Sequence, residues 1–313
     1  MSFEKQFHFY DRTKPITLIG EILVDIIEDT KNGKTVKALG GSTANVAVNC
    51  AQLGLDSHFF GSVGKDDNAA FLIKEIRKEH LTYNIVSVQS PTSIVYVDKN
   101  IFSPSPRFAR SADYDICFSE KMKSVIQSSN ILHFSFWPLS NLPGRETILK
   151  AVDLAKRQGI TVCFDPNYHP LLDEDGHGLE TLLEILPKID VIKPSLDDSY
   201  RIFGKKMSSD EYLDLFESMG IPLIIMTLGK DGLMCRFNGD TVVLPSMADE
   251  IVDSTGAGDA FWSGLYSGFL NGDTLETSLK LGLQASAWNL RNVGANTHLP
   301  GYEGIKKIME MKR

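Results

Sequence analysis

The sequence predicts an α/β fold in which helices alternate with the strands of a mostly parallel sheet. Apolar, strand-like runs are each followed by an amphipathic helical segment, and no linker, repeat or low-complexity stretch divides the 313 residues. The hydrophobic content of 42% is sufficient for a substantial core. We therefore expect one α/β domain that spans residues 1–313.

The N-terminal part is predicted to open with β-structure. Residues 16–27 read as a buried strand that runs into a second strand, and Asn32-Gly33 is a typical tight hairpin turn. A helix follows residues 40–43 and ends at Gly54, and Asp66 is a suitable N-cap for the next helix. This order places a glycine-rich helix start directly after the hairpin.

A second β-rich stretch interrupts the alternation. Residues 92–98 have the β-branched character of a strand, and Pro104 and Pro106 break the regular pattern after it. We interpret it as part of a flap built from two separated pieces, about 22–40 and 92–112. Beyond it, strands are predicted near 131–135, 160–165, 190–193 and 223–227, and helices at 145–158, 179–186, 210–219, 258–270 and 275–291.

Composition excludes several classes of partner. The formal charge of −8 repels phosphate backbones and anionic lipid, so neither nucleic acid nor a membrane surface is an expected partner. The four cysteines are far apart and lack zinc-ligand spacing, which favours a reducing, cytoplasmic location. No apolar run approaches the ~20 residues that cross a bilayer, and no signal-peptide core is recognised.

Residues 253–261 (DSTGAGDAF) carry the strongest chemical signal. Gly256 and Gly258 allow backbone amides to approach an anion, and the helix that begins there has a positive N-terminal end. Asp259, in the first turn, could accept a proton from a hydroxyl beside that anion. The alternative is that Asp259 only complements the helix dipole and the glycines only turn the chain. The apolar helix that follows favours the chemical interpretation, because it places Asp259 beside the core.

This run resembles the C-terminal signature of the ribokinase, or PfkB, family of carbohydrate kinases, D-T-x-G-A-G-D. Residues 40–45 (GGSTAN) are similar to the family's N-terminal Gly-Gly…Asn element. The resemblance covers about residues 16–300. It implies a ribokinase-like three-layer α/β/α sandwich with a small β lid, ATP and Mg²⁺ as cofactors, and a homodimer through the lid. It also implies that Asp259 is the catalytic base and that Gly256, Ala257 and Gly258 bind the γ-phosphate.

For the sugar, the resemblance implies a binding set drawn from both ends of the chain: Asp25, Gly40, Gly41, Asn45, Arg110 and Asn167. Taken alone, Asp25 could be a solvated charge at a hairpin edge, Asn45 a helix-start residue, and Arg110 a solvated arginine. His169 stands where relatives with the D-P-N-Y segment carry Arg, which argues against an acidic sugar.

For the nucleotide, the resemblance implies contacts from the KPSLDD segment at 193–198 and the TLGKDG turn at 227–232. The implied residues are Lys193, Ser195, Thr227, Gly229 and Gly232, with Asn289 near the base. Asp198 is expected to reach Mg²⁺ through water, although Ser195 with the acids after it could also be a plain helix cap. Backbone at Asp253 and Thr255 is expected to hold a monovalent cation such as K⁺, with His298 replacing the small hydroxyl residue of relatives.

The sequence thus predicts an ATP-dependent sugar kinase, with a fructokinase-like hexose kinase as the leading interpretation. Ribose, 2-keto-3-deoxygluconate and a nucleoside remain open as acceptors. A non-catalytic sensor of sugar or nucleotide on the same fold is the alternative of another class. A dinucleotide-binding oxidoreductase and a P-loop enzyme are disfavoured, because neither glycine fingerprint is present.

Overall fold

The computed structural model describes residues 2–8, 10–29, 33–98, 107–295 and 297–311. The strands are β1 (Ile16–Ile19), β2 (Leu23–Asp29), β3 (Lys34–Gly40), β4 (Ser57–Val63), β5 (Thr82–Ser87), β6 (Ile94–Asp98), β7 (Arg107–Ala109), β8 (Ile131–Ser135), β9 (Thr161–Asp165), β10 (Val191–Ile192), β11 (Leu223–Thr227), β12 (Leu233–Phe237) and β13 (Asp240–Leu244). The helices are α1 (Ser42–Gln52), α2 (Asp67–Ile76), α3 (Glu120–Gln127), α4 (Phe136–Leu139), α5 (Gly144–Gln158), α6 (Gly178–Ile185), α7 (Leu196–Phe203), α8 (Ser209–Ser218), α9 (Ala257–Asn271), α10 (Leu275–Asn289) and α11 (Gly301–Met311).

Two sheets are present in the described residues. The large sheet has nine strands in the order β13-β12-β11-β10-β9-β8-β1-β4-β5, and β12 pairs antiparallel with both of its neighbours, β11 and β13. The small sheet has the order β3-β2-β6-β7 and combines residues 23–40 with 94–109. Asn32, Pro104 and Pro106, which the sequence placed in turns of this region, lie outside the described residues.

The large sheet separates two hydrophobic cores. Leu18 points to the side covered by α1, α2, α9 and α10, and its neighbour Ile19 points to the side covered by α3 and α5 to α8. Alternation of this kind is what the pleat of a strand buried on both faces requires. The predicted mixed α/β fold is confirmed, with a layer of helices on each side of a mostly parallel sheet.

Local sequence signals explain where several helices begin. Asp66 caps α2 as predicted, since its Oδ1 accepts the Ala69 N–H at 2.8 Å. Ser208 and Glu211 form a capping box at the start of α8. The helix predicted at 258–270 is one residue longer at each end, which agrees with the usual uncertainty of helix ends. In the described residues, no helix has the length and apolarity required to cross a bilayer.

Candidate active site

The candidate site lies where the strand order of the large sheet reverses. β1 and β8 are parallel neighbours, and the chain proceeds outward from them in opposite directions. The carboxyl ends of parallel strands at such a point form a crevice. A cavity of about 410 Å³ opens there. It brings together predicted residues from distant parts of the chain: Asp25, Gly41, Asn45, Asn167, Lys193, Ser195, Asp198, Thr227, Thr255, Gly256, Gly258 and Asp259.

Asp259 lines this cavity from the first turn of α9. Ser42 Oγ donates to its Oδ1 at 2.6 Å, and Asn45 Nδ2 donates to its Oδ2 at 2.9 Å. Burial raises the pKa of Asp259, while these two hydrogen bonds and the charge of Lys193 oppose the rise. The residue is only 8% exposed, so Asp259 is not a solvated acid at the end of the helix.

The start of α9 favours an anion. Gly256 has a φ of 77°, and a Cβ there would lie 2.5 Å from Ala295 Cα, so only glycine fits this turn. Gly258 has no side chain, and its absent Cβ would lie 3.2 Å from Lys193 Nζ. The ammonium group and the positive end of a 15-residue helix are therefore adjacent. An anionic ligand in the cavity would meet both.

Asp25 faces the cavity from the small sheet. It belongs to β2, and its carboxyl lies so close to Gly40 that a Cβ at that position would overlap it. Burial, together with the charges of Asp259 and Asp253, raises the pKa of Asp25 to about 7. The alternative of a solvated hairpin-edge charge is wrong, and Gly40 contributes by leaving room for Asp25.

Glu21 was missed as a site residue by the sequence analysis. It follows β1, is fully buried, and accepts hydrogen bonds from Thr43 Oγ1 at 3.1 Å, Thr43 N at 3.3 Å and Ser135 Oγ at 2.7 Å. Burial raises its pKa to about 7, although these hydrogen bonds oppose the rise. An acid directly after a buried strand was the available signal. Glu21 links the start of α1 to the end of β8.

The raised pKa of Glu21 predicts a specific pH dependence of stability. The folded protein binds the proton more tightly than the unfolded chain, so the free energy of unfolding falls as the pH rises from about 4.5 to about 7. The contribution of this group is about 3 kcal/mol. Urea unfolding at pH 5 and pH 8 should show a smaller difference for Glu21→Gln than for the wild type. Equal differences would contradict the prediction.

Arg110 does not line the cavity, in contrast to its predicted substrate role. Its guanidinium makes five hydrogen bonds: Nε and Nη2 donate to Asp113 Oδ2 at 2.9 and 2.6 Å, and the others reach Ser140 Oγ, Leu172 O and Trp137 O. The side chains of Arg110 and Asp113 are 1% and 0% exposed, so the alternative of a solvated arginine is wrong. All five N–H donors are used within the protein.

The D-P-N-Y segment reaches the cavity through Asn167. This residue adopts a left-handed φ of 36° and is exposed at the cavity wall. Beside it, His169 Nδ1 accepts the Leu171 N–H at 3.2 Å, and burial, with the charge of Arg201, lowers the pKa of His169. Position 169 therefore presents a neutral ring rather than a cation.

The KPSLDD segment combines a helix cap with a cavity wall. Ser195 and Asp198 form a capping box at the start of α7, and Asp198 Oδ1 also accepts the Tyr168 N–H at 2.9 Å. Lys193 Nζ pairs with Asp165 Oδ2 at 3.1 Å, and Trp262 Nε1 donates to the same oxygen at 2.9 Å. Asp165 is a further residue that the sequence analysis did not assign. The two interpretations of Ser195, as cap and as cavity residue, hold together.

A second cavity of about 220 Å³ adjoins the first and shares Thr227 and Gly258 with it. Gly229 and Gly232 line it on one side. Phe261 of α9, Leu283 of α10 and Leu290, which follows α10, line it on the other. Asn289 does not line it. Its Nδ2 donates to Thr255 O at 2.7 Å, and its Oδ1 accepts from Thr297 Oγ1 at 3.1 Å, so both ends of the amide are used in the interior.

The predicted cation loop is held by Asp253. Its Oδ1 accepts from Thr255 N and Oγ1 at 2.9 and 2.8 Å, and its Oδ2 accepts the Gly294 N–H at 2.8 Å. His298 contributes its carbonyl oxygen to Trp288 Nε1. Asn296 lies outside the described residues, and among the described residues no group of three or more acidic, histidine or cysteine side chains could hold a metal ion.

Comparison with known proteins agrees with this geometry. The model of the family described as pfkB family carbohydrate kinase matches residues 13–301. A protein of Thermoanaerobacterium thermosaccharolyticum named ATP-dependent 6-phosphofructokinase is 42% identical, with 100% of this chain and 99% of the relative covered. A fructokinase of Klebsiella pneumoniae is 30% identical over 94% of this chain and 99% of its own length.

Solved structures give the same result. The fructokinase of Vibrio cholerae O395, in its fructose, ADP and calcium ion bound form, superposes with a TM-score of 0.85 at 29% identity, covering 96% of this chain and 100% of that one. The fructokinase of Halothermothrix orenii superposes with a TM-score of 0.76 at 33% identity, covering 86% and 97%. The small sheet, the buried aspartate at the start of α9 and the two adjoining cavities are thus features of a chain that belongs to the pfkB family of carbohydrate kinases.

Proposed function

We propose that this protein transfers the γ-phosphoryl group of ATP to a hydroxyl of a ketohexose, with fructose as the first candidate acceptor. The observation that carries the proposal is the position of Asp259 between two kinds of surface in one cavity. Asp25, Asn45 and Asn167 offer carboxylate and amide groups suited to sugar hydroxyls. Lys193 and the start of α9 offer positive potential suited to a phosphoryl group.

The residues have distinct roles in this mechanism. Asp259 accepts the proton of the attacking hydroxyl, and the backbone of Gly256, Ala257 and Gly258 stabilises the charge on the transferring group. The second cavity is about the size of a nucleobase, has an apolar wall from α9 and α10, and receives the nucleotide. Gly229 and Gly232 border the side of this cavity that faces the phosphates. The small sheet, with Asp25, acts as a lid that excludes water from the transfer.

Mg²⁺ neutralises phosphate charge in such a transfer. Asp198 is the candidate that reaches it through water, because both of its carboxylate oxygens already accept hydrogen bonds from Tyr168 and Ser195. K⁺ is a further candidate at the loop of Asp253 and Thr255. A fructokinase of Vibrio cholerae O395 is described in a potassium ion bound form at 29% identity, which supports testing K⁺ here.

Fructose leads because Asp25 and Asp259 face the sugar side of the cavity. The cations in the described lining are Lys193, which is paired with Asp165, and Arg201, whose Nη1 donates to Tyr168 O at 3.4 Å. A phosphate on the acceptor would lie beside the carboxyls of Asp25 and Asp259 and would have to draw Lys193 or Arg201 away from its present partner, which is costly. The lid cations Lys37 and Arg107 are engaged with Asn68 and Glu28. A carboxylate-bearing acceptor is disfavoured for the same reason, since His169 is neutral.

Fructose 6-phosphate is a second candidate, favoured by the 42% identity over the full chain to a protein named ATP-dependent 6-phosphofructokinase. Two further properties are proposed on weaker support. A homodimer through the lid would cover Val36, which is 53% exposed on β3. A cytoplasmic location suits four unpaired cysteines, all of them in the described residues.

An acceptor panel tests the proposal. Coupled ADP release with MgATP should give a kcat/KM for fructose at least about 100-fold above those for fructose 6-phosphate, ribose, 2-keto-3-deoxygluconate and adenosine, because buried unpaired charge or a misplaced hydroxyl costs several kcal/mol. A higher value for fructose 6-phosphate would transfer the assignment to the second candidate. Binding of sugar without any turnover would show a sensor instead of a kinase.

A further inference from the structure

We propose that Ser42 is a positioning residue that orients the Asp259 carboxyl for removal of the sugar proton, an inference that rests on the proposed function. Ser42 is 8% exposed and lines the cavity at the first position of α1. Its hydroxyl has one proton to donate, and it gives that proton to Asp259 Oδ1 at 2.6 Å. A charge-assisted bond of this length is among the stronger kinds in proteins.

The geometry fixes the plane of the carboxyl. Ser42 and Asn45 are three residues apart on α1 and therefore project from the same face of the helix. One donates to Oδ1 and the other to Oδ2. Rotation of the carboxyl about its Cβ–Cγ bond would break both bonds together. The pair thus holds the base in one orientation, whereas with either donor alone a single hydrogen bond would have to hold the plane of the carboxyl.

The first turn of α1 is itself attached to the ends of the central strands. Asn45 N donates to Gly41 O at 2.8 Å. Thr43, between the two donors in sequence, is held through both its amide and its hydroxyl by Glu21. Glu21 also accepts from Ser135 at the end of β8. These contacts of Thr43 fix the position of Ser42 relative to the sheet. Because Ser42 and Thr43 are neighbours on the helix and project in different directions, Thr43 contacts Glu21 while Ser42 contacts Asp259.

The charges around Asp259 explain why a neutral donor matters there. The carboxyls of Glu21, just after β1, of Asp25 on β2 and of Asp165 on β9 lie near it. Burial raises the pKa of each of the three, and the charge of Asp259 adds to the rise. The cation that opposes them is Lys193, which is already paired with Asp165. Ionised Asp259 therefore depends on hydrogen bonds for its stability. Removal of the Ser42 hydroxyl would raise the proton affinity of the Asp259 carboxylate and leave its Oδ1 without that donor.

Substitution of Ser42 provides the kinetic test. For Ser42→Ala, the acidic limb of the kcat/KM profile for the best acceptor should move up by about one pH unit, the order expected for loss of a hydrogen bond to a charged group. On that limb, below both midpoints, the activity should fall about tenfold, and it should recover toward the wild-type value at alkaline pH. Ser42→Thr keeps the donor and should restore the wild-type profile. Ser267→Ala on α9, whose hydroxyl bonds only to Gly264 O, is the matched control.

A second measurement does not depend on turnover. The ¹³C carboxyl signal of Asp259, assigned by its absence in Asp259→Asn, should titrate with a higher midpoint in Ser42→Ala than in the wild type, without sugar or nucleotide. An unchanged midpoint, or a loss of kcat/KM that is equal at every pH, would overturn the positioning role. If the wild type phosphorylates no acceptor, the proposed function fails, whereas the titration still decides the contact between Ser42 and Asp259.

Discussion

Replacement of Asp259 by Asn is expected to lower kcat for the best sugar acceptor by ~10²–10⁴, the usual contribution of a general base. Asparagine has nearly the same shape but cannot accept the hydroxyl proton. The nucleotide cavity does not include Asp259, so the dissociation constant for ATP should stay unchanged. Coupled assays and calorimetric ATP titration measure the two quantities.

The same variant should not be less stable than the wild type. Burial opposes the charged form of Asp259, so a neutral side chain removes an unfavourable interaction with Glu21 and Asp25. Thermal unfolding checks this, and Asp153→Asn, on the surface helix α5, is the matched control. A variant that keeps wild-type kcat would show that another group is the base. A loss of ATP binding would show that Asp259 acts on the nucleotide.

The second large effect is expected at the buried ion pair between Arg110 and Asp113. Arg110→Ala should lower the free energy of unfolding by about 3–5 kcal/mol, because Asp113 would remain buried without its partner. Ser93 Oγ and the amide of Ser111 also bond to Asp113, so the pair joins the two chain segments that lead into and out of the lid. Urea unfolding followed by circular dichroism measures the change.

Arg107→Ala is the matched control, since Arg107 lies three residues away at the start of β7. Its ion pair with Glu28 is largely exposed, at 71% and 32%, and should contribute only about 0–1 kcal/mol. The comparison also decides the substrate role predicted for Arg110 from sequence. If Arg110→Ala is as stable as Arg107→Ala but raises KM for the sugar, Arg110 binds substrate and the anchoring role is wrong.

The end of the candidate site that contains Asp259 was predictable because its parts are consecutive in the chain. Gly256, Gly258 and Asp259 fall in one loop-to-helix junction, and local rules for glycine and helix ends already indicate an anion beside a carboxylate. The same holds for the βα alternation that gave the large sheet and for the helix start at residues 40–45. Each of the two helix starts is signalled by fewer than ten residues.

Residues whose role depends on the direction of a side chain were not predictable in this way. The sequence placed Arg110 and Asn289 in the ligand sites, but in the structure their donors are spent on Asp113 and on Thr255. Conversely, neither Glu21 nor Ser42 was assigned to the site, although Ser42 lies within the GGSTAN run. Whether a polar group faces a ligand or the interior depends on which partners the fold brings within about 3 Å, and those partners are often more than 100 residues away.

The sequence by itself determined the fold class and indicated the candidate base and the order of the candidate sugar and phosphate elements, because short-range patterns of polarity, glycine and capping residues encode them. Only the tertiary structure decided which donors hold Asp259, which acids share its surroundings and which arginine is an anchor. Those properties arise from contacts between α1, β1, β8 and α9, and contacts between distant segments exist only once the chain has folded around the central sheet.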